Sequence, residues 1–201
     1  MLGKFVLLVF AYCLGSIPWG LCIAKKACHI DPREAGSRSI GATNISRLCG
    51  FPYGVATLLC DIFKGTIPVF LAIQLDPDPL FVSMVAFLAV LGHVFSCFLR
   101  FRGGKAVATT IGVMLPLAFM PLLGSAVLCL LLIAISGFVS VGSLTLVSSL
   151  PLFLLFSGAN DWVPLSLLLA VLVFWRHREN IARLHAGTEK SWLKHRADQQ
   201  S

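Results

Sequence analysis

Long apolar runs alternate with short polar segments along the chain, and the run lengths set the first expectation. Residues 5–24 and 80–99 contain no Asp, Glu, Lys or Arg, and each matches the roughly 20 residues a helix needs to cross the hydrocarbon of a bilayer. The stretch 106–160 is uncharged throughout. One helix of that length would overshoot a bilayer roughly threefold, so the pattern predicts several crossings there. Breaks are expected near 116–124 and near 137–142, where Pro and Gly gather.

Composition turns this pattern into a class. The sequence is 57% hydrophobic and 12% charged, about half the charged share of a soluble domain, and its mean hydropathy is +0.88. These values describe an integral membrane protein, read as one membrane domain over 1–201. A formal charge of +7 raises the question of nucleic acid. The basic residues lie in short loops beside apolar runs, with no soluble domain to carry a binding surface, so an anionic lipid or anionic substrate is the expected partner and nucleic acid is not.

The same charges set topology. Lys25, Lys26, Arg33, Arg38 and Arg47, then Arg100, Arg102 and Lys105, then Arg176, Arg178, Arg183, Lys190, Lys194 and Arg196 make fourteen of the sixteen Lys and Arg. The positive-inside rule places all three groups in the cytoplasm. The "DPDP" turn at 76–79 and Asp161 then face the other side. Two groups on one side need an even number of crossings between them, which gives helices near 51–75 and 80–98, three crossings within 106–160 and one over 162–175. The expected fold is all-α, a bundle of about seven transmembrane helices with the N-terminus outside and the C-terminus cytoplasmic. Gly, Ala and Ser are expected where helices touch. No signal-type cleavage site precedes Lys25 and Lys26, so the first run reads as a retained helix. The seven cysteines show no spacing of a metal site or a disulfide framework. Cys13, Cys22, Cys60, Cys97 and Cys129 fall within apolar runs and read as small buried hydrophobes.

Four polar segments share the cytoplasmic side: 31–47, 100–105, 136–143 and 176–189. In "RFRGGKAVATT" (100–110), Gly103 and Gly104 can bring backbone N–H groups together, a helix begins near Ala106, and Lys105 adds a full charge, a combination suited to a phosphate. The spacing is not that of a Walker loop. "GSRSIGATN" (36–44) offers short donors, with Arg38 and Arg47 close by, for a second anionic group. Asp61 and Lys64 lie three apart on one helical face inside an apolar run, where they can neutralise each other, or Lys64 can snorkel to the cytoplasm. His93 reads as a packed residue. His177, Arg178, Glu179 and Asn180 form the densest polar cluster, in which a His can move a proton while Asn and Arg orient an oxyanion. The His with Asp five residues later that many acyl-CoA-dependent acyltransferases carry is missing: Phe98 follows His93 and Ala182 follows His177 at that distance, and His29 meets Glu34 in a charged loop.

Six ordered motifs carry a resemblance over almost the whole chain: "GSIPWG" (15–20), "GSRSIGATN" (36–44), "DIFKGTIP" (61–68), "LGHVFSCFLRFRGGKAVAT" (91–109), "FVSVGS" (138–143), and "HREN" with "RL" and "GTE" (177–189). Together they resemble the bacterial acyl-phosphate:glycerol-3-phosphate acyltransferases, the PlsY family. Two positions depart from the family pattern: Ser39 stands where the family usually has Asn, and Ala106 where it usually has a third Gly. The resemblance implies a seven-helix enzyme of the bacterial inner membrane, with its active site facing the cytoplasm. It implies transfer of a fatty acyl group from acyl phosphate to the 1-hydroxyl of glycerol 3-phosphate, the first acylation of phospholipid synthesis.

By motif position, the resemblance assigns Lys105, Ser140, His177 and Asn180 to catalysis, and Ser37 and Arg47 to substrate contact. Thr43, Asn44, Gly103 and Gly104 would form the phosphate cradle. The expected partners are glycerol 3-phosphate, fatty acyl phosphate and membrane lipid, and no cofactor or metal is expected. The donor is already activated, so direct attack by the glycerol hydroxyl is expected, with His177 or a donor phosphate oxygen taking the proton. The rival readings are a carrier for an organic phosphate and a non-catalytic lipid-binding scaffold.

Overall fold

The computed structural model describes residues 1–192. Lys194 and Arg196, counted above with the cytoplasmic charges, lie outside the described residues. Every regular element among those residues is helical. The chain divides into two compact units, Met1–Leu117 and the part from Ala118 onward.

The first unit holds α1 (Leu2–Ser16), α2 (Trp19–Cys28), α3 (Ala42–Cys49), α4 (Phe51–Leu75), α5 (Pro79–Val94) and α6 (Val107–Met114). The second holds α7 (Phe119–Ser136), α8 (Val139–Phe156), α9 (Val163–Arg176) and α10 (Arg178–His185). Among the described residues, five segments are long and apolar enough to span a bilayer: Leu2–Cys28, Phe51–Leu75, Pro79–Leu99, Phe119–Ser136 and Val139–Phe156. The uncharged stretch 106–160 does divide into three helices, α6, α7 and α8, with breaks at 115–118 and 137–138. At 8 residues, α6 is far shorter than a standard span, and α9 has 14.

Local chemistry explains the helix ends. Asp78 caps α5, its Oδ2 accepting from the Phe81 N–H at 2.9 Å, and Pro79 follows at the first helical position, where a missing N–H costs nothing. Gly137 ends α7 with φ of 78°, a left-handed stop that suits glycine. The first apolar run is not one continuous helix. It breaks at Ile17 and Pro18, because Pro18 has no N–H to offer the preceding turn and its ring crowds that turn.

Small residues sit where helices meet, as expected. In the first unit a Cβ on Gly15 would collide with the Ala89 backbone, and one on Gly92 with the Tyr12 carbonyl. Helices α1 and α5 therefore pack backbone to backbone, and Tyr12 Oη donates to the Phe95 carbonyl at 2.7 Å. Lys4 pairs with Asp76, which puts the start of α1 beside the 76–79 turn. Large apolar side chains such as Phe5, Phe63, Phe70, Leu130, Leu155 and Val171 face outward, as they do on a surface solvated by lipid.

The cysteine expectation is corrected in two ways. Cys13, Cys22 and Cys97 are exposed and Cys60 and Cys129 partly so; they lie on outer faces, where an apolar thiol suits lipid as well as a core does. Cys28 and Cys49 form a disulfide across Cα atoms 5.9 Å apart. It closes the loop between α2 and α3, a pairing set by packing of those two helices that no sequence spacing announces.

Candidate active site

In the first unit, α3 and the loop before it are organised by Asn44. Its side-chain Nδ2 donates to the carbonyls of Pro32 at 3.1 Å, Ala35 at 3.3 Å and Ser39 at 2.8 Å. Its Oδ1 accepts from the Ser37 N–H at 2.8 Å. Asn44 is 1% exposed. Asn44, expected in the phosphate cradle, has its amide engaged here with four backbone groups of the loop. It shapes the loop that carries Ser37. Thr43 and Arg47 are half-buried, one turn apart on α3. Asp31 braces the loop: the Arg33 guanidinium, at 2.9 Å and 2.6 Å, holds its carboxyl well below the usual carboxylate range against the opposing effect of burial, and Lys25 adds a little at 3.5 Å.

The second polar segment of this unit runs from Phe95 to Ala106. Arg100, Phe101 and Ala106 all take positive φ, at 51°, 61° and 65°, a cost of about 1–2 kcal/mol each for a residue with a Cβ. Ala106, the position where the family pattern has Gly, is buried and caps α6 in this conformation. The Gly103 N–H donates to the Val94 carbonyl and the Gly104 N–H to the His93 carbonyl, both at 3.0 Å. Both glycines expected in the phosphate cradle thus have their N–H groups bonded to the end of α5. Both glycines permit close approach: a Cβ on Gly103 would strike the His93 carbonyl, and one on Gly104 the His93 ring. Lys105 follows, half-buried, just before α6.

The two basic segments meet. Arg33, Glu34 and Arg38 from one, and Phe98, Leu99, Arg100 and Arg102 from the other, line a cavity of about 770 Å³. Four guanidinium groups against one carboxylate make it suited to an anion. The same unit holds a buried charged cluster. Lys64 Nζ is 2.8 Å from Asp61 Oδ1 and donates to the Ile17 carbonyl at 3.0 Å. His93 Nδ1 stands 3.7 Å from the same Asp61 oxygen. Lys64 is 2% exposed, so of the two expectations for it the ion pair holds and snorkelling does not.

The second unit has its own cluster, centred on Glu189. Ser140 Oγ donates to Glu189 Oε1 at 2.8 Å, Asn180 Nδ2 to the same oxygen at 2.6 Å, and Arg183 Nε to Oε2 at 2.7 Å. Burial alone would raise the Glu189 carboxyl, yet the hydrogen bonds from Asn180, Arg183 and Ser140 outweigh it and hold the group below its ordinary value. His177, 3% exposed, lies between α9 and α10, with Nδ1 2.8 Å from the Val173 carbonyl. A carbonyl only accepts, so Nδ1 carries the hydrogen and Nε2 is the basic nitrogen.

Of the residues expected from sequence, Ser37, Thr43, Asn44, Arg47, Gly103, Gly104 and Lys105 belong to the first unit, and Ser140, His177 and Asn180 to the second. Glu189 received no role from sequence. Its signal was present in the "GTE" motif, but nothing in spacing told that it would gather Ser140 and Asn180.

The family model described as glycerol-3-phosphate acyltransferase matches residues 5–187. A glycerol-3-phosphate acyltransferase of Desulfovibrio desulfuricans is 64% identical over 187 residues, which cover 93% of this chain and 84% of the relative. The fold is similar to the crystal structure of PlsY, an integral membrane glycerol 3-phosphate acyltransferase. Its glycerol 3-phosphate form matches with a TM-score of 0.91 and 36% identity over 94% of this chain and 95% of that one. Its lysophosphatidic acid form matches at 0.88 and 34%, over 96% and 98%.

Proposed function

The chain belongs to the glycerol-3-phosphate acyltransferase family, and on that premise we propose that it transfers a fatty acyl group from acyl phosphate to the 1-hydroxyl of sn-glycerol 3-phosphate. The products are lysophosphatidic acid and inorganic phosphate. The family match across 5–187 carries the acyl transfer to glycerol 3-phosphate. Acyl phosphate as donor is supported by the six-motif resemblance and by the absence of a His with Asp five residues later.

In the proposed step, the glycerol O1 forms a bond to the acyl carbon, the bond from that carbon to the phosphate oxygen breaks, and phosphate leaves with the electron pair. The donor is an activated mixed anhydride, so no acyl-enzyme is needed. Catalysis comes from positioning and from cations facing the developing charge. Lys105 and Arg47 supply charge to the phosphates, with Arg38, Arg100 and Arg102 raising the local concentration of anions. Ser37, on the loop that Asn44 knots, and Thr43 contact glycerol 3-phosphate. Ser140 and Asn180 act with their hydrogen-bond directions fixed by Glu189. The proton of the attacking hydroxyl goes to His177 Nε2 or to a phosphate oxygen of the donor, and His177 is favoured by its fixed tautomer.

The protein is proposed to cross the bacterial inner membrane seven times, the five long spans being joined by α6 and α9, with the N-terminus outside and the polar loops in the cytoplasm. The Lys4–Asp76 pair supports this, because it sets the N-terminus beside the acidic 76–79 turn. Purified protein in detergent, given acyl phosphate and glycerol 3-phosphate, should release phosphate only when both are present. No release, with uptake of glycerol 3-phosphate into vesicles, would point to a carrier. Acylation from acyl-CoA at an equal rate would refute the donor assignment.

A further inference from the structure

Three sequence motifs have no part in the chemistry above: the break in "GSIPWG", the charged pair in "DIFKG" and the His of "LGH". The structure joins them into one buried line. The Ile17 carbonyl accepts from Lys64 Nζ at 3.0 Å, Lys64 pairs with Asp61 at 2.8 Å, and Asp61 Oδ1 lies 3.7 Å from His93 Nδ1. The far edge of the imidazole, Nε2 with Cε1 and Cδ2, is what a Cβ on Gly104 would strike. Lys105 is the next residue. Asp61, Lys64 and His93 are 3%, 2% and 4% exposed.

We propose that His93 is a positioning residue for Lys105, its ring serving as the floor on which Gly104 rests and its orientation being set by the Asp61–Lys64 pair. The assignment rests on Lys105 meeting a substrate phosphate.

The separation of 3.7 Å is long for a hydrogen bond, yet a carboxylate facing one ring nitrogen still favours a hydrogen on that nitrogen and resists rotation of the ring. A ring so held presents its other edge to Gly104. The His93 and Val94 carbonyls then pin the N–H groups of Gly104 and Gly103, both at 3.0 Å. Backbone bonds fix where the turn starts, and the ring fixes how deep it sits. Lys105, one residue on, inherits that depth. Two charges buried in a helical membrane protein are costly unless paired. Alignment of a catalytic turn gives this pair a use beyond neutralising itself.

The test is a double-mutant cycle on purified protein, measuring phosphate release with glycerol 3-phosphate varied. His93→Ala should lower kcat/KM by about 100-fold, the scale of a misplacement near 1 Å, while His93→Asn, which keeps a donor toward Asp61, should recover part of the loss. Combined with Lys105→Arg, His93→Ala should add little, because both changes damage the same contact. Multiplied losses, or full activity in His93→Ala, would overturn the proposal. If the His93 variants do not fold, the neutral pair Asp61→Asn with Lys64→Met replaces them, with the same loss and the same non-additivity expected. Failure of both sets to fold would assign the cluster to stability alone and overturn the proposal as well. Unchanged activity in Lys105→Arg and Lys105→Met would refute the role of Lys105 itself, a separate outcome.

Discussion

Ser140 and Asn180 donate to the same atom, Oε1 of Glu189, at 2.8 Å and 2.6 Å. One carboxylate thus fixes the direction of two polar side chains from different helices while Arg183 balances its charge on the other oxygen at 2.7 Å. Glu189→Gln would place an NH₂ group among three donors. We expect a loss of stability of about 2 kcal/mol, the worth of a hydrogen bond to a charged group, together with at least a tenfold loss of turnover; thermal melts and phosphate release check the two.

The same carboxylate predicts a pH profile. Its folded-state value is depressed below the ordinary 4.5, so between the two values the unfolded chain binds more protons and stability rises with pH. The contribution is complete above the ordinary value and is lost as pH falls through the depressed one. Melting temperatures should be level from neutrality to about pH 5, then decline, and Glu189→Gln should remove part of that decline.

Asn44→Asp tests the loop knot. The substitution puts an oxygen where an NH₂ group now meets three carbonyls. Buried acceptors left without a donor cost about 1–3 kcal/mol each, so a marked fall in melting temperature is expected. In any folded fraction, KM for glycerol 3-phosphate should rise more than kcat falls, because Ser37 loses its support.

Ala106→Gly should act in the opposite sense. Alanine in the left-handed region costs about 1–2 kcal/mol, and glycine gives back part of the gain through a freer unfolded chain. A net stabilisation of up to about 1 kcal/mol is expected, seen as a melting temperature a few degrees higher.

His177→Ala decides the proton acceptor. With His177 as base, turnover rises with pH as the imidazole loses its proton, and the variant should lose roughly 100-fold or more together with that limb. A variant with near-native rate and an unchanged profile would give the proton to the donor phosphate.

Much of this was legible from residue order. Apolar run length gave two of the three long spans of the first unit, charge parity gave the third, and the uncharged stretch gave three helices, because bilayer thickness is a ruler that sequence must obey. The functions of single residues were less legible. Asn44 and the glycines after Arg102 read as ligand contacts because short polar residues and glycine serve backbone and ligand equally well; their backbone role shows only once Pro32, Ala35 and His93 are in place. Glu189 was hidden for the converse reason. A carboxylate in a basic segment reads as a surface charge until Ser140 is seen beside it.

With the Gly103 and Gly104 amides spent on carbonyls at the end of α5, the proposed grip on phosphate in this unit falls to the charged side chains of Lys105 and Arg47. Such a grip is sensitive to ionic strength in a way that a cradle of amide dipoles is not. Between 0.1 M and 1 M salt, as the screening length falls from about 10 Å to about 3 Å, KM for glycerol 3-phosphate should climb several-fold while kcat holds. The enzyme would then meet its substrate as a polyelectrolyte does, by counterion exchange.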